Sequence, residues 1–464
     1  MYDILDGERI PWDDLEDVED NPYEWDALGE LKTHNPISDA DNLYDSMMLA
    51  RKGTSWKASV QKFYWESLHR ISVLQHGLDA LEEGRDGAFE PKDGAEFFAN
   101  ERGCVRPITG LTMDDRVVSH CVNDIDLMPK IIPFLIYDNS ASLKGKGVSF
   151  ARDRMRVMLE RFYAREGTDV GFARLKDQTK YYDNIIHDYA LEMIRTFTDN
   201  GLAIKIAEKF LKHAELDVSD LSDELFELAM RVKFDRVKWR LGKHPKAGKK
   251  FLRKGVTVGD QFSQTIGVFY PYRVDNQARI VQGSKYYQRY MDDSADIDKS
   301  LERLKQRAEE TDREADRIML FTNERKTVYV RIDRWFVWLK RKYRLRNGKV
   351  QIRILPKAVT NMKRRIRKMK KKVDAGKFSP DYVAGIVKSW THARRDVLSY
   401  PQLRSIEKLI LNLYGRECYE KVYDHDERWN AAQRPFDEWV DVRQPGGDQS
   451  RSLYSGENEE GHDR

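Results

Sequence analysis

Tyr286-Tyr287-Gln288-Arg289-Tyr290-Met291-Asp292-Asp293 is a β-prone run that ends on two adjacent carboxylates. Together with the residues as far as Asp296 it predicts a strand, a turn and a second strand. Two aspartates side by side on a hairpin turn repel each other unless a divalent cation neutralises them. The pair is therefore a candidate metal platform. Asp-Asp is also a common exposed turn, and the dipeptide alone does not decide between the two.

A third carboxylate lies upstream. Asp177 stands in Arg174-Leu175-Lys176-Asp177-Gln178-Thr179-Lys180-Tyr181-Tyr182, ahead of the helix-like His187-Asp188-Tyr189-Ala190-Leu191. Brought beside Asp292 from a separate strand, it would complete a two-metal site. In such sites ions about 3.5–4 Å apart clamp the attacking and leaving oxygens of phosphoryl transfer. Read alone, Asp177 is equally a helix N-cap. Between these segments lies Gly255-Val256-Thr257-Val258-Gly259-Asp260-Gln261-Phe262-Ser263-Gln264. Its glycines permit close approach to a nucleotide or a template strand. The plainer alternative is a loop entering a helix, with Asp260 as N-cap.

The charge is strongly segregated. Residues 1–45 hold 15 acidic and 2 basic side chains, whereas residues 331–372 hold 18 Lys or Arg and 1 acid. The densest part is Lys363-Arg364-Arg365-Ile366-Arg367-Lys368-Met369-Lys370-Lys371-Lys372. A basic block of this kind suits a polyanion or a solvated helix face. The interleaved Trp335, Trp338, Tyr343 and Ile352 favour nucleic acid, because aromatics stack on bases while cations track phosphates. The acidic segment either shields the basic block or keeps the chain in solution.

The chain has 464 residues, 40% of them hydrophobic, which is enough to bury a core and excludes wholesale disorder. Its 3 cysteines, Cys104, Cys121 and Cys418, are too few for a disulfide framework and not spaced for zinc. No apolar run approaches the roughly 20 residues of a membrane span. The N-terminus is acidic where a signal peptide is basic and then apolar. These features predict a cytoplasmic protein with reduced thiols and no membrane partner. Residues 1–50 look loop-rich. From 55 to 83, Trp56, Val60, Phe63, Leu68, Ile71, Leu74 and Leu78 approximate a helical stripe. Helices are expected near 116–121, at 150–163, up to about 232, and from 357 to 414. A Gly- and Lys-rich loop is expected at 241–254, a strand at 327–332, and a disordered tail from Gln444.

Taken in order, these segments resemble a reverse transcriptase of the group II intron-like lineage found in bacteria and phages. Arg106-Pro107-Ile108 with Asp115-Arg116-Val117-Val118 resembles the first fingers block. Asp138-Asn139-Ser140-Ala141-Ser142-Leu143-Lys144-Gly145-Lys146-Gly147 resembles the second. The Asp177 segment looks like motif A, Val258 to Gln264 like motif B, and Tyr290 to Asp293 like motif C. Asn323-Glu324-Arg325-Lys326-Thr327 resembles motif D, and Phe336-Val337-Trp338-Leu339 the primer grip. The match runs over roughly residues 100–415. Two departures stand out. A lysine precedes Asp177 where an apolar residue is usual, and the first hundred residues match nothing in the family.

The resemblance implies an α+β, helix-rich right-hand polymerase with an antiparallel palm sheet, helical fingers and a helical thumb. It divides the chain into an acidic N-terminal extension with a helical segment (1–99), fingers (100–170), a palm with inserted helices (171–335), primer grip and basic thumb (336–415), and a C-terminal appendage and tail (416–464). It implies that Asp177, Asp292 and Asp293 are catalytic and hold two Mg²⁺ ions, with Mn²⁺ as a substitute. Lys144, Lys146 and Arg152 would grip the triphosphate of the incoming dNTP, and Lys326 would donate a proton to pyrophosphate. Tyr182 would be the steric gate against a ribose 2′-hydroxyl. Val258, Gly259 and Gln264 would border the templating base pair. Lys363, Arg364, Arg365, Arg367 and Lys368 would track the duplex. The implied partners are template RNA, a primer and its cDNA, dNTPs, and a small accessory protein or noncoding RNA.

Motif B narrows the resemblance. Intron-type enzymes usually carry Gln-Gly and Ser-Pro there. Val258-Gly259 and Ser263-Gln264 look like the form in diversity-generating retroelements, whose enzymes copy a template RNA with errors at adenines. Antiphage-defence reverse transcriptases, group II intron proteins and a catalytically dead RNA-binding palm are the competing readings.

Overall fold

The structure is a computed structural model that describes residues 2–5, 8–11, 34–101, 104–242, 244, 246–394, 397 and 399–423. Most of the acidic segment, the Trp429–Trp439 region and the tail from Gln444 lie outside the described residues. The chain forms two compact units, one of residues 1–339 and 343–351, the other of residues 340–342 and 352–464. Both helices and antiparallel sheets are present. Among the described residues no helix is long and apolar enough to cross a membrane.

The loop-rich expectation for residues 1–50 gives way to a short hairpin, Tyr2–Leu5 with Glu8–Pro11, and a helix at Ala40–Arg51. Asp39 caps that helix by accepting from the Asn42 N–H. The expected long helix is two, Ala58–Trp65 and Ser67–Glu83. Glu66, at φ −95° and ψ 17°, interrupts the spiral and shifts its phase. Val60, Phe63, Ile71, Leu74 and Leu78 therefore face inward, while Leu68 is left 81% exposed. These helices do not form a separate extension. Leu43, Met47 and Leu78 share one continuous core with Val118, Ile194, Ile206 and Phe269.

A four-stranded antiparallel sheet organises the first unit. Its spatial order is Val328–Arg331, Phe172–Asp177, Asp293–Asp298, Tyr287–Tyr290. One face of the sheet is a layer of buried charge rather than apolar side chains. Lys176 donates to Asp312 at 2.8 Å and Arg174 pairs with the same carboxylate. Asp312 belongs to the helix Leu301–Arg317. From the same helix Arg307 reaches Asp296 and Asp298, each at 2.8 Å. This layer explains the lysine before Asp177: it is buried because a carboxylate of the covering helix neutralises it.

Between the helix Gly201–His213 and the Asp260 loop the chain inserts a small subdomain. It holds the helices Asp223–Arg231 and Arg236–Leu241 and a two-stranded ladder of Leu216–Asp217 with Phe251–Leu252. A further hairpin, Ala95–Glu101 with Cys104–Gly110, lies against the insertion and the Asp260 loop. Near the passage to the second unit, Phe336–Trp338, Arg341–Arg346 and Lys349–Ile354 form a three-stranded sheet.

The second unit packs the helices Pro356–Asp374, Pro380–His392 and Tyr400–Tyr423, the last broken at Gly415, around Val359, Met362, Ile366, Val387, Ile406 and Ile410. The apolar residues of the first helix recur every three or four positions, so its basic residues are forced outward. Arg364, Arg365, Arg367 and Lys368 are exposed, and Lys363 is half-buried.

Candidate active site

Asp177 ends its strand and is not a helix N-cap. The sheet register sets it directly opposite Asp293. Asp293 also pairs with Tyr290, which leaves Met291 and Asp292 as a two-residue turn. Such turns favour positive φ in the first position, usually at glycine or asparagine. Met291 adopts φ +56°. The left-handed conformation costs a side-chain-bearing residue roughly 1–2 kcal/mol, so the turn must be held from outside. Gln178 N–H donates to Asp292 O at 3.2 Å, and Arg289 Nη1 donates to Met291 O at 3.2 Å. The Tyr182 hydroxyl rests 3.5 Å from Met291 Sδ. Gly267 makes room for both, since a Cβ there would lie 2.8 Å from Tyr182 Oη and 2.9 Å from Met291 Sδ.

The loop at residues 323–327 closes over Asp177. Asn323 Nδ2 donates to its carboxylate at 2.7 Å and Lys326 Nζ at 3.0 Å. Asn323 N–H also donates to Asp177 O at 2.8 Å. Burial pushes the Asp292 carboxyl above its ordinary value, and the Asp177 charge adds to the rise. The hydrogen bond to Asp177 raises the Lys326 ammonium, with the charges of Asp177, Asp292 and Asp293 contributing.

Lys326 is thus a cation lodged where three carboxylates want positive charge. The all-oxygen donor set and the repulsion between Asp177 and Asp292 suit a hard divalent ion. As they stand, however, no three His, Cys, Asp or Glu side chains among the described residues are arranged to enclose one. Each oxygen of Asp177 accepts one hydrogen bond, which leaves each a further lone pair for a metal.

Asp177 and Asp292 line a cleft with about 1140 Å³ of free space, part of it open solvent. Tyr182, Val258 and Lys326 line it too. Burial raises the Tyr182 phenol, so it stays protonated. Gly259 is next to the cleft at φ +123°, where a Cβ would press to 3.2 Å from Ile108 Cγ2. The close approach that its glycine permits is therefore to the 95–110 hairpin. Asp260 caps the helix Gln261–Phe269, accepting from Ser263 N–H at 2.6 Å.

Four expected nucleotide contacts are elsewhere. Lys144, Lys146, Arg152 and Gln264 do not line the cleft. Lys146 Nζ is spent on the carbonyls of Tyr137 at 2.6 Å and Asn139 at 3.1 Å, closing its own loop. Arg152 donates twice to Leu339 O, at 2.9 and 2.7 Å. Lys144 is exposed at a loop tip, and Gln264 is exposed beside Ser142. The cleft instead takes Arg106, Lys180, Arg236 and Arg240. Arg106 and Lys180 fall inside segments the sequence singles out, whereas nothing in the sequence marks Arg240. Lys363, Arg364, Arg365, Arg367 and Lys368 belong to the second unit. No protein-family model matches the chain, and no curated protein matches it.

Proposed function

We propose that the protein is an RNA-directed DNA polymerase that extends a primer on an RNA template by two-metal nucleotidyl transfer. The observation that carries this reading is the register of Asp177 with Asp293, beside a strained turn that presents Asp292 to the same cleft. Under this reading the four-stranded sheet is the palm, the 95–110 hairpin belongs to the fingers, and the second unit is the thumb.

Asp177, Asp292 and Asp293 would hold the Mg²⁺ ions, or Mn²⁺ in their place. Bound there, the metal would acidify the primer hydroxyl and offset charge on the triphosphate and pyrophosphate. Lys326 would have two duties. It neutralises Asp177, and with its ammonium raised by that contact it would be the proton donor to the leaving pyrophosphate. Tyr182 bounds the sugar side of the cleft with a neutral, bulky ring. Val258 and Gly259 offer no charge and shape the pocket only. A diversity-generating retroelement is the proposed context. It rests on the form of Val258-Gly259 and Ser263-Gln264 in the sequence, and of these four residues only Val258 lines the cleft.

Primer extension on a defined RNA template with Mg²⁺ and dNTPs tests the proposal. Wild type should make cDNA and Asp292→Ala/Asp293→Ala should not. Errors concentrated at template adenines support the retroelement context, whereas faithful or untemplated product favours a defence enzyme. Wild-type product that persists in the double variant would sink the reading.

A further inference from the structure

We infer that the inserted helix Arg236–Leu241 completes the binding site for a nucleotide triphosphate, with Lys180 and Arg240 as the anion-binding side chains. The identity of the ligand as a dNTP rests on the polymerase reading. The residues assigned to it do not come from the resemblance, which pointed to Lys144, Lys146 and Arg152.

The cleft combines three carboxylates, Asp177, Asp183 and Asp292, with several cations, and its cations are not equivalent. Arg236 is buried and donates to the carbonyls of Lys254 at 2.9 Å, Gly255 at 2.8 Å and Ala214 at 2.9 Å. These bonds turn its guanidinium onto the backbone and anchor the helix. Lys326 is held by Asp177. Lys180 and Arg240 differ, because each is paired with one partly or largely exposed carboxylate. Lys180 Nζ is 2.9 Å from Asp235, and both side chains are about a third exposed. Arg240 Nη1 is 2.9 Å from Glu96, whose side chain is 59% exposed.

The Lys180–Asp235 pair is exposed enough to be weak, and in the other pair Glu96 is exposed although Arg240 is only 16% so, which lets each carboxylate be exchanged for another anion. A triphosphate brings several charge-assisted acceptors to the same donors and outcompetes a single carboxylate. Lys180 is also one of the few non-glycine residues with positive φ, at +51°, three residues after Asp177. Local backbone strain of this kind concentrates where a side chain must be aimed. Asp235 caps the helix that carries Arg240, and Glu96 belongs to the 95–110 hairpin. The two pairs therefore tie the insertion to both neighbouring walls of the cleft. A ligand with a metal-seeking polyphosphate and a compact ring fits this combination of carboxylates, releasable cations and Tyr182.

The test is equilibrium binding to the full chain of two probes, inorganic tripolyphosphate and Mg²⁺-dTTP, the latter with a primer–template blocked by a terminal dideoxynucleotide. Lys180→Ala and Arg240→Ala should each weaken both probes roughly tenfold, the loss of one charged hydrogen bond. Lys144→Ala should change neither. Asp235→Asn and Glu96→Gln free the cations and should tighten tripolyphosphate binding, a gain that a structural role does not give. Wild type binding both probes, with Lys180→Ala and Arg240→Ala unchanged, overturns this inference and leaves the polymerase reading standing. Tripolyphosphate binding weakened by Asp235→Asn and Glu96→Gln overturns it as well. Wild type that fails to bind Mg²⁺-dTTP overturns both.

Discussion

Arg289 Nη1 donates to the carbonyl oxygen of Met291 at 3.2 Å, one residue ahead of Asp292. The same guanidinium is fully buried against Asp275, at 2.7 Å, and also reaches the carbonyl of Val268. One side chain thus ties the acidic turn to the helix Gln261–Phe269. Removing one partner of a buried pair leaves the other charge uncompensated, at a cost of about 3–5 kcal/mol. Arg289→Met should lower the melting temperature accordingly, and Asp275→Leu/Arg289→Met should cost less than the sum of its singles. Arg289→Lys keeps the charge but loses the fork. It should fold, and under the proposed polymerase function it should extend a primer at least tenfold more slowly, with little change in dNTP KM. An unchanged kcat in Arg289→Lys would remove the positioning role.

Gly267 is a glycine inside a helix, where alanine ordinarily gains about 1 kcal/mol. Here the sign should reverse. The added Cβ would meet Tyr182 Cζ at 3.1 Å as well as the nearer Tyr182 Oη and Met291 Sδ. Overpacking of this kind costs about 1–3 kcal/mol. Gly267→Ala should therefore lower the melting temperature and raise dNTP KM, by pushing the ring of Tyr182 toward the cleft. Met291→Ala should rescue both in the double variant, because it vacates one side of the clash. Rescue of stability without rescue of KM would separate Tyr182 from nucleotide binding.

The turn that carries Asp292 and Asp293 is legible in the sequence because the β-prone run from Tyr286 fixes it. Pairing Asp177 with Asp293 is not legible from spacing alone; the order of the motifs supplies it. The charged layer beneath the sheet is invisible for a different reason. Lys176 and Asp312 are 136 residues apart, and only the fold makes them partners. Lys146 and Arg152 mislead because a sequence displays charge but not the carbonyls that consume it. Asn347-Gly348, with φ +50° and +70°, is a hairpin signature that the dense charge around it masks. Arg240 carries no local signal at all, since its place in the cleft depends on how the insertion folds back.

Two buried bases outside the cleft set opposite ends of the pH range. His187 Nε2 bonds to Gly255 O at 2.8 Å, and Nδ1 has no hydrogen-bond partner among the described residues. Burial lowers this imidazole to about 4. Between that value and the ordinary 6.5 or so the unfolded chain binds the extra proton, so stability falls as pH drops through this window. Lys254 is buried with only the carbonyls of Val232 and Ala229 as acceptors among the described residues, and burial lowers it to about 8. Between pH 8 and roughly 10.5 the unfolded chain again holds more protons, so this group makes stability rise with pH there. Each contribution is on the order of 3 kcal/mol over its full window. Denaturant titrations across pH should show both slopes, with His187→Gln removing only the acidic one and Lys254→Met only the alkaline one.

The exposed face of the helix Pro356–Asp374 separates a nucleic-acid surface from a solvated one by its salt dependence. Arg364, Arg365, Arg367 and Lys368 have no ion-pair partner among the described residues, whereas Lys370 is paired with Asp374. Each phosphate contact contributes about 0.7–0.9 to the slope of log affinity against log salt. Replacing all four with alanine should therefore weaken RNA binding and flatten that slope by roughly 3 if every one meets a phosphate. The helix should survive, because its core residues Val359, Met362, Ile366 and Met369 are untouched and alanine is a strong helix former. Lys370→Ala should leave the slope nearly unchanged. A quadruple variant with wild-type slope would make the face a solubility device.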